Sequence, residues 1–81
     1  MRILIAEDDA DLNKIIVKKL RAEGHAVDGC MNGREALDYL AAGDYDAAIL
    51  DIMMPEMDGI ETLSRIRETS NVPVIFLTAK S

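Results

Sequence analysis

The chain has 81 residues and a formal net charge of −6, from nine basic and fifteen acidic side chains. A chain of this length forms at most one small domain, and its acidic balance argues against direct binding of nucleic acid by this segment. The apolar stretch that follows Met1 and Arg2 has four residues and is too short for a signal peptide or a membrane-spanning helix, so we expect a cytoplasmic protein with no membrane partner.

The first half of the chain alternates apolar strands with amphipathic helices. A strand is predicted over Arg2–Ala6, a helix over 10–23 and a second strand over Ala26–Cys30, since apolar runs and helical spacing follow one another in that order. We expect the buried face of the first helix to carry Leu12, Ile15, Ile16 and Leu20. Three consecutive acids, 7–9, precede this helix. One acid suffices as an N-cap, so capping leaves the other two unexplained.

The second half of the chain repeats this alternation. The spacing of Asn32 and Glu35 is that of a capping box and opens a helix predicted over 33–42. An unbroken apolar strand over Ala47–Asp51 follows, and a second capping-box spacing opens a third helix, whose buried side is expected to carry Ile60, Leu63 and Ile66. The fourth strand, 72–77, is the most apolar run of the chain. Strands that alternate with helices indicate a single α/β domain with a parallel sheet.

Three of the predicted strands end in groups that can do chemistry. Glu7 and Asp8 follow the first strand, Asp51 ends the third, and Thr78 follows the fourth. An isolated acid in such a place is more often a turn or cap residue. However, the carboxyl ends of parallel strands share one edge of the sheet, which is where open α/β sheets bind their ligands. The combination therefore favours a binding or catalytic site at that edge.

At these positions the sequence resembles the receiver domain of two-component response regulators. The resemblance rests on the pair Glu7-Asp8, on Asp51 with the Met-Pro-Glu-Met-Asp-Gly segment at 54–59, and on Thr78 followed by alanine. It is greatest to regulators whose output is a winged-helix DNA-binding domain. The resemblance implies a doubly wound parallel sheet of the flavodoxin-like order 2-1-3-4.

In that order the first and third strands are neighbours, so the acids at their tips lie about 5 Å apart. Two carboxylates at this distance repel by roughly 3 kcal/mol at an effective dielectric constant of about 20. Either one acid takes up a proton, or a divalent cation lies between them. Oxygen ligands suit Mg²⁺ or Mn²⁺ better than zinc. By resemblance, Asp8 and Asp51 would bind the ion directly, Met53 through its backbone carbonyl, and Glu7 through water.

The resemblance also implies a reaction. Asp51 would accept a phosphoryl group from a sensor histidine kinase or from a small donor such as acetyl phosphate, and Thr78 would turn its hydroxyl onto a phosphoryl oxygen as the switch. The protein would then be a signalling switch that regulates transcription in a longer parent, and not an enzyme. A phosphatase of the haloacid dehalogenase type is disfavoured, because it needs a second acid two residues after the nucleophile, where Met53 stands.

The resemblance spans residues 1–81 and covers only the first part of the receiver unit. Receivers continue through a fourth helix, a fifth strand and a fifth helix, and their fifth strand carries a lysine that pairs with the phosphoryl group. Lys80 does not occupy that place. We expect the fourth strand to be an open apolar edge and the chain to self-associate, either by edge pairing or by exchange of an element between two chains. The alternative function is a fragment that takes up no phosphate and acts as a self-associating structural module.

Overall fold

Four strands and three helices alternate along the chain in the computed structural model, which describes residues 1–77. In chain order, the elements are β1 (Arg2–Ala6), α1 (Ala10–Ala22), β2 (Ala26–Cys30), α2 (Gly33–Ala42), β3 (Ala47–Asp51), α3 (Gly59–Ile66) and β4 (Val74–Leu77). The strands form one parallel sheet in the order β2-β1-β3-β4. The predicted α/β class and flavodoxin-like order are confirmed. Within residues 1–77, no helix is both long enough and apolar enough to cross a membrane.

The register of the sheet brings the carboxyl ends of neighbouring strands to one edge, here called the carboxyl edge. Ala6, the last residue of β1, lies opposite Leu50 of β3. Asp51, the last residue of β3, lies opposite Leu77 of β4. Because Glu7 directly follows Ala6, the acids after β1 and the acid that ends β3 reach the same place.

Helices cover both faces of the sheet. One face is lined by Ile3, Ile5 and Val27 from the strands and by Ile16, Val17 and Leu20 from α1. On the other face, α2 and α3 cover a larger core built from Leu4, Ala6, Cys30, Ala36, Ala48, Leu50, Met54, Ile66 and Val72. Successive residues of a strand point to opposite faces, and here both faces are covered. This double burial explains why the strands read as unbroken apolar runs.

Two predicted core positions are wrong. Ile15 is 63% exposed and Ile60 is 55% exposed, although helical spacing placed both on buried faces. In α1 the buried stripe includes the polar residue Asn13, and Ile15, two positions further along the helix, points towards solvent. In α3 the buried residues are Gly59, Thr62 and Ile66, so Ile60 points away from the sheet. In both helices a buried polar or small residue sets the face, which a count of apolar residues alone does not detect.

Two predicted boundaries shift by one or two residues. α1 ends at Ala22 with Glu23 as its C-cap, and Gly24 follows at a φ of 95°, in the left-handed region that favours glycine. β4 begins at Val74 and not at residue 72. Pro73 has no N–H to donate to the ladder, although its carbonyl still accepts a hydrogen bond from the N–H of Ala48 at 2.9 Å.

Side chains immediately before each helix satisfy its first N–H groups. The carboxylate of Asp9 accepts hydrogen bonds from two N–H groups in the first turn of α1, at 3.0 and 3.1 Å. Asn32 and Asp58 cap α2 and α3 in the same way. Since Asp9 alone caps α1, Glu7 and Asp8 are left for another role.

Candidate functional site

Three acidic side chains, here called the acid cluster, meet at the carboxyl edge of the sheet. They are Glu7 and Asp8, which follow β1, and Asp51, which ends β3. One carboxylate oxygen from each lies within 4.8 Å of the others. Glu7 and Asp51 are buried, with 2% and 3% of their surface exposed, whereas Asp8 is exposed. The structure thus brings together the three acids that the sequence analysis assigned to one site.

Glu7 is fixed by backbone groups on both sides. Its N–H donates to the carbonyl of Cys30 at 3.1 Å, which extends the pairing of β1 with β2 by one residue. Its carboxylate Oε2 accepts a hydrogen bond from the N–H of Asp9 at 2.9 Å. The Glu7 carboxylate is therefore oriented by the sheet and by the start of α1 together.

Asp51 is oriented by the loop that follows it. The N–H of Met53 donates to Oδ1 of Asp51 at 3.1 Å, and the Met53 side chain is 72% exposed. Glu56 in the same loop has a φ of 68°, a conformation that L residues seldom adopt. The chain thus turns sharply between β3 and α3.

Gly59 closes this loop. Its N–H donates to the carbonyl of Ile52 at 2.9 Å, and a Cβ at this position would lie 2.5 Å from the carbonyl oxygen of Asp51 and 2.9 Å from Cα of Ile52. No larger residue can bring the start of α3 this close to the backbone of Asp51. Glycine is therefore required here for close approach.

Within the described part of the chain, residues 1–77, no basic side chain forms an ion pair with the acid cluster. Burial is the largest cause that raises the pKa of Glu7, to about 7 from 4.5, and the charge of Asp51 and hydrogen bonds with Asp8 and Asp51 raise it further. The hydrogen bond from the Asp9 N–H acts in the opposite direction. The ion pairs found within residues 1–77, Arg2 with Asp28 and Arg65 with Glu61, lie elsewhere.

The donor set of the acid cluster fits a hard divalent cation. Its carboxylate oxygens converge from two fixed backbone positions, and the excess negative charge favours a cation over a neutral ligand. Mg²⁺ binds through one or two carboxylates and retains several waters, which suits a cluster with one exposed and two buried acids. Mn²⁺ accepts the same ligands.

The sequence also predicted site roles for Met53 and Thr78. The backbone of Met53 lies at the site through its N–H bond to Asp51, while a metal-binding role for its carbonyl stays a prediction. Thr78 lies outside the described residues, and so does Lys80. Leu77 is the last described residue, and its carbonyl accepts a hydrogen bond from the N–H of Ile52, next to Asp51, at 3.3 Å.

Sequence reasoning missed Asn13. This residue of α1 is 7% exposed, and its side-chain Nδ2 donates to the carbonyl of Glu7 at 3.0 Å and to that of Cys30 at 2.8 Å. A signal was present, because Asn13 precedes Ile16 and Leu20 by three and seven residues, at the spacing of the buried helical stripe. A polar residue at such a position calls for a buried partner.

Comparison with known proteins gives consistent matches. The sequence pattern of the response regulator receiver domain matches residues 3–81. The transcriptional regulatory protein DltR of Streptococcus agalactiae is 42% identical over 82 residues, which cover 100% of this chain and 37% of that relative. The chain thus spans little more than a third of the length of this curated relative.

Solved structures show the same similarity. The response regulator TrrA of Thermotoga maritima, in complex with Mg²⁺-BeF, matches with a TM-score of 0.92 and 38% identity, over 99% of this chain and 70% of that one. A structure of the histidine kinase ThkA in complex with TrrA matches with a TM-score of 0.91 at the same identity and the same coverage.

Proposed function

The chain belongs to the response regulator receiver domain family of two-component systems, and we propose that Asp51 is its phosphoacceptor, which takes a phosphoryl group from a sensor histidine kinase in a Mg²⁺-dependent reaction. The single observation that carries this proposal is the acid cluster itself. Three acids that end or follow two strands meet at the carboxyl edge, and no basic side chain among residues 1–77 forms an ion pair with them. A structural role would favour a paired arrangement, since unpaired buried charge is destabilising.

The residues of the site would have distinct roles in this reaction. Mg²⁺, when bound, would draw charge from the phosphoryl oxygens. Glu7, Asp8 and Asp51 would hold it, and the N–H of Met53 keeps the Asp51 carboxylate in place. A carboxylate oxygen of Asp51 attacks phosphorus in line, the bond from phosphorus to the donor histidine nitrogen breaks, and that nitrogen keeps the electron pair and takes up a proton. The product is an acyl phosphate on Asp51.

The relatives support a wider role. TrrA is held by the histidine kinase ThkA in one of the matched structures, which supports a kinase of this class as the phosphoryl donor. DltR is a transcriptional regulatory protein, which supports control of transcription as the output of a longer parent. We propose that Thr78 carries the switch hydroxyl and that the protein works in the cytoplasm as a signalling switch without an enzymatic role of its own.

Phosphoryl uptake is tested by incubation of the chain with acetyl phosphate and Mg²⁺, followed by phosphate-affinity electrophoresis and intact mass. We expect one added phosphoryl group, which Asp51→Asn abolishes. Asp44→Asn is the matched control, because Asp44 is exposed in the loop before β3 and should leave uptake unchanged. Uptake that persists in Asp51→Asn, or that does not require Mg²⁺, would contradict the proposal.

Self-association through β4 is a second proposal, and an exposed apolar side chain favours it. Within residues 1–77, β4 pairs with β3 alone, and its Ile75 is 59% exposed. An apolar edge strand of this kind can pair with a second copy. Light scattering at high concentration should show dimers that Ile75→Lys removes, whereas Ile15→Lys, at a similarly exposed isoleucine of α1, should not. A monomer at every concentration would refute the proposal.

A further inference from the structure

We propose that Asn13 is a positioning residue, which sets the placement of Glu7 and Asp8 for cation binding; this inference rests on the proposed function. Nδ2 of Asn13 donates to the carbonyl of Glu7 at 3.0 Å and to that of Cys30 at 2.8 Å. Asn13, Glu7 and Cys30 are 7%, 2% and 2% exposed. Water therefore competes little with these hydrogen bonds.

The bond to the Glu7 carbonyl acts on both acids. A peptide unit is planar, so the carbonyl of Glu7 and the N–H of Asp8 turn together. The N–H of Glu7 is already fixed to the carbonyl of Cys30 at 3.1 Å. With Asn13 on the carbonyl, the peptide units before and after Glu7 are both held. The two acidic side chains leave the backbone on either side of the second unit.

Gly29 of β2 leaves room for the amide of Asn13. A Cβ on Gly29 of β2 would lie 2.6 Å from Oδ1 of Asn13 and 3.1 Å from a methyl carbon of Val17. A methyl group at position 29 would therefore displace the amide of Asn13. The amide beside Gly29 joins the carbonyl of Glu7, which follows β1, to the carbonyl of Cys30, which ends β2.

Helix packing alone does not require a polar residue at position 13. Ile16, Val17 and Leu20 pack this face of α1 against the sheet through apolar contacts, and an apolar residue at 13 would extend the same stripe. Asn13 instead buries an amide, which is favourable only when its donors are paired. The two carbonyls that accept hydrogen bonds from Asn13 both lie beside the acid cluster, so the amide orders the backbone at that end of the sheet.

The test compares Mg²⁺ affinity in Asn13→Ala and Val17→Ala, measured by isothermal titration calorimetry at a temperature where both variants are folded by circular dichroism. Both substitutions remove packing from the same face of α1, but only the first removes the hydrogen bonds. We expect the Mg²⁺ dissociation constant of Asn13→Ala to rise about tenfold, as for other residues that orient metal ligands. Val17→Ala should bind Mg²⁺ as the unsubstituted chain does.

The other outcomes distinguish a failure of the role of Asn13 from a failure of the proposed function. An unchanged affinity in Asn13→Ala, or an equal loss in both variants, would overturn the role of Asn13 while leaving the phosphoacceptor proposal intact. If the unsubstituted chain binds no Mg²⁺, the proposed function fails and the role of Asn13 fails with it.

A second variant covers the case in which Asn13→Ala does not fold. Gly29→Ala pushes on Oδ1 of Asn13 from β2 and changes no residue of α1 or of the acid cluster. It should weaken Mg²⁺ binding in the same direction. Full affinity in a folded Gly29→Ala would count against the role of Asn13.

Discussion

Acidic side chains have different interaction partners at the two ends of the sheet. Towards the amino ends of β1 and β3, Asp28, the middle residue of β2, accepts a hydrogen bond from the hydroxyl of Tyr45 at 2.6 Å and lies 3.6 Å from the guanidinium of Arg2. Asp46 accepts a hydrogen bond from the N–H of Arg2 at 2.7 Å, and the Arg2 guanidinium lies 4.6 Å from the centre of the Tyr45 ring. We call these four residues the amino-edge group.

The acid cluster at the carboxyl edge has no such partners within residues 1–77. Glu7 and Asp51 each accept a hydrogen bond from a different backbone N–H, and Glu7 also forms side-chain hydrogen bonds with Asp8 and Asp51. Asp28 thus has a guanidinium and a hydroxyl as partners, whereas the members of the acid cluster have no basic partner within residues 1–77. The difference teaches that the compensation of an acid, and not its presence, separates a structural group from a site.

The largest expected effect in this comparison is on the pH dependence of stability. The pKa of Glu7 is about 7 in the folded chain against an ordinary value of 4.5, so the folded state keeps a proton that the unfolded state has lost between these values. The stabilisation that this proton gives is fully present below pH 4.5. It is lost as pH rises through 7, and the free energy of unfolding falls by about 3 kcal/mol.

Glu7→Gln should remove this loss. In urea unfolding with a metal chelator present, the variant should gain stability over the unsubstituted chain as pH rises from 4.5 to 8. Tyr45→Phe in the amino-edge group should leave the pH dependence over this range nearly unchanged, because burial raises the pKa of Tyr45 to about 12, well above this range. A Glu7→Gln curve that runs parallel to that of the unsubstituted chain would break the contrast between the two edges.

Mg²⁺ should have the next largest effect, and it should act at one edge alone. A ligand that binds only the folded state at ten times its dissociation constant raises the free energy of unfolding by about 1.4 kcal/mol. We expect this gain at pH 7.5 in the unsubstituted chain and in Asp28→Asn, and its loss in Asp51→Asn. An equal gain in all three proteins would show that Mg²⁺ acts outside the acid cluster.

The smallest effect is expected in the amino-edge group. Burial, together with the hydrogen bond that it donates to Asp28, raises the pKa of Tyr45 to about 12, so the hydroxyl is a neutral donor at ordinary pH. Tyr45→Phe removes this donor and should cost about 1 kcal/mol in thermal or urea unfolding. Mg²⁺ affinity should not change. A loss of Mg²⁺ binding in Tyr45→Phe would mean that the two edges are coupled.

The sequence predicted the convergence of the acids because that convergence depends on few rules. Apolar runs located the strands, parallel pairing placed their carboxyl ends together, and the resemblance supplied the strand order that makes β1 and β3 neighbours. Glu7, Asp8 and Asp51 then had to meet. The uncompensated charge followed from the same step, since no basic residue stands at the end of either strand.

Positions set by packing were harder to predict. Ile15 and Ile60 were assigned to the core by apolar spacing, yet the faces of α1 and α3 are set by Asn13 and Thr62, which are buried through hydrogen bonds. In the sequence such positions are marked only by their helical spacing, and the partner carbonyls that make the burial of Asn13 favourable come from other elements of the fold. The same holds for Gly29, whose need for space depends on a side chain sixteen positions earlier.

The carboxyl group of Glu7 offers the most direct measurement. A ¹³C nuclear magnetic resonance titration of this carboxyl, with a chelator and then with saturating Mg²⁺, reads the excess charge of the acid cluster and its neutralisation in one experiment. We predict a midpoint near pH 7 without the metal and a marked fall with it, because a bound cation favours the charged carboxylate. A midpoint near 4.5 under both conditions would contradict the claim that these acids form an uncompensated cation site.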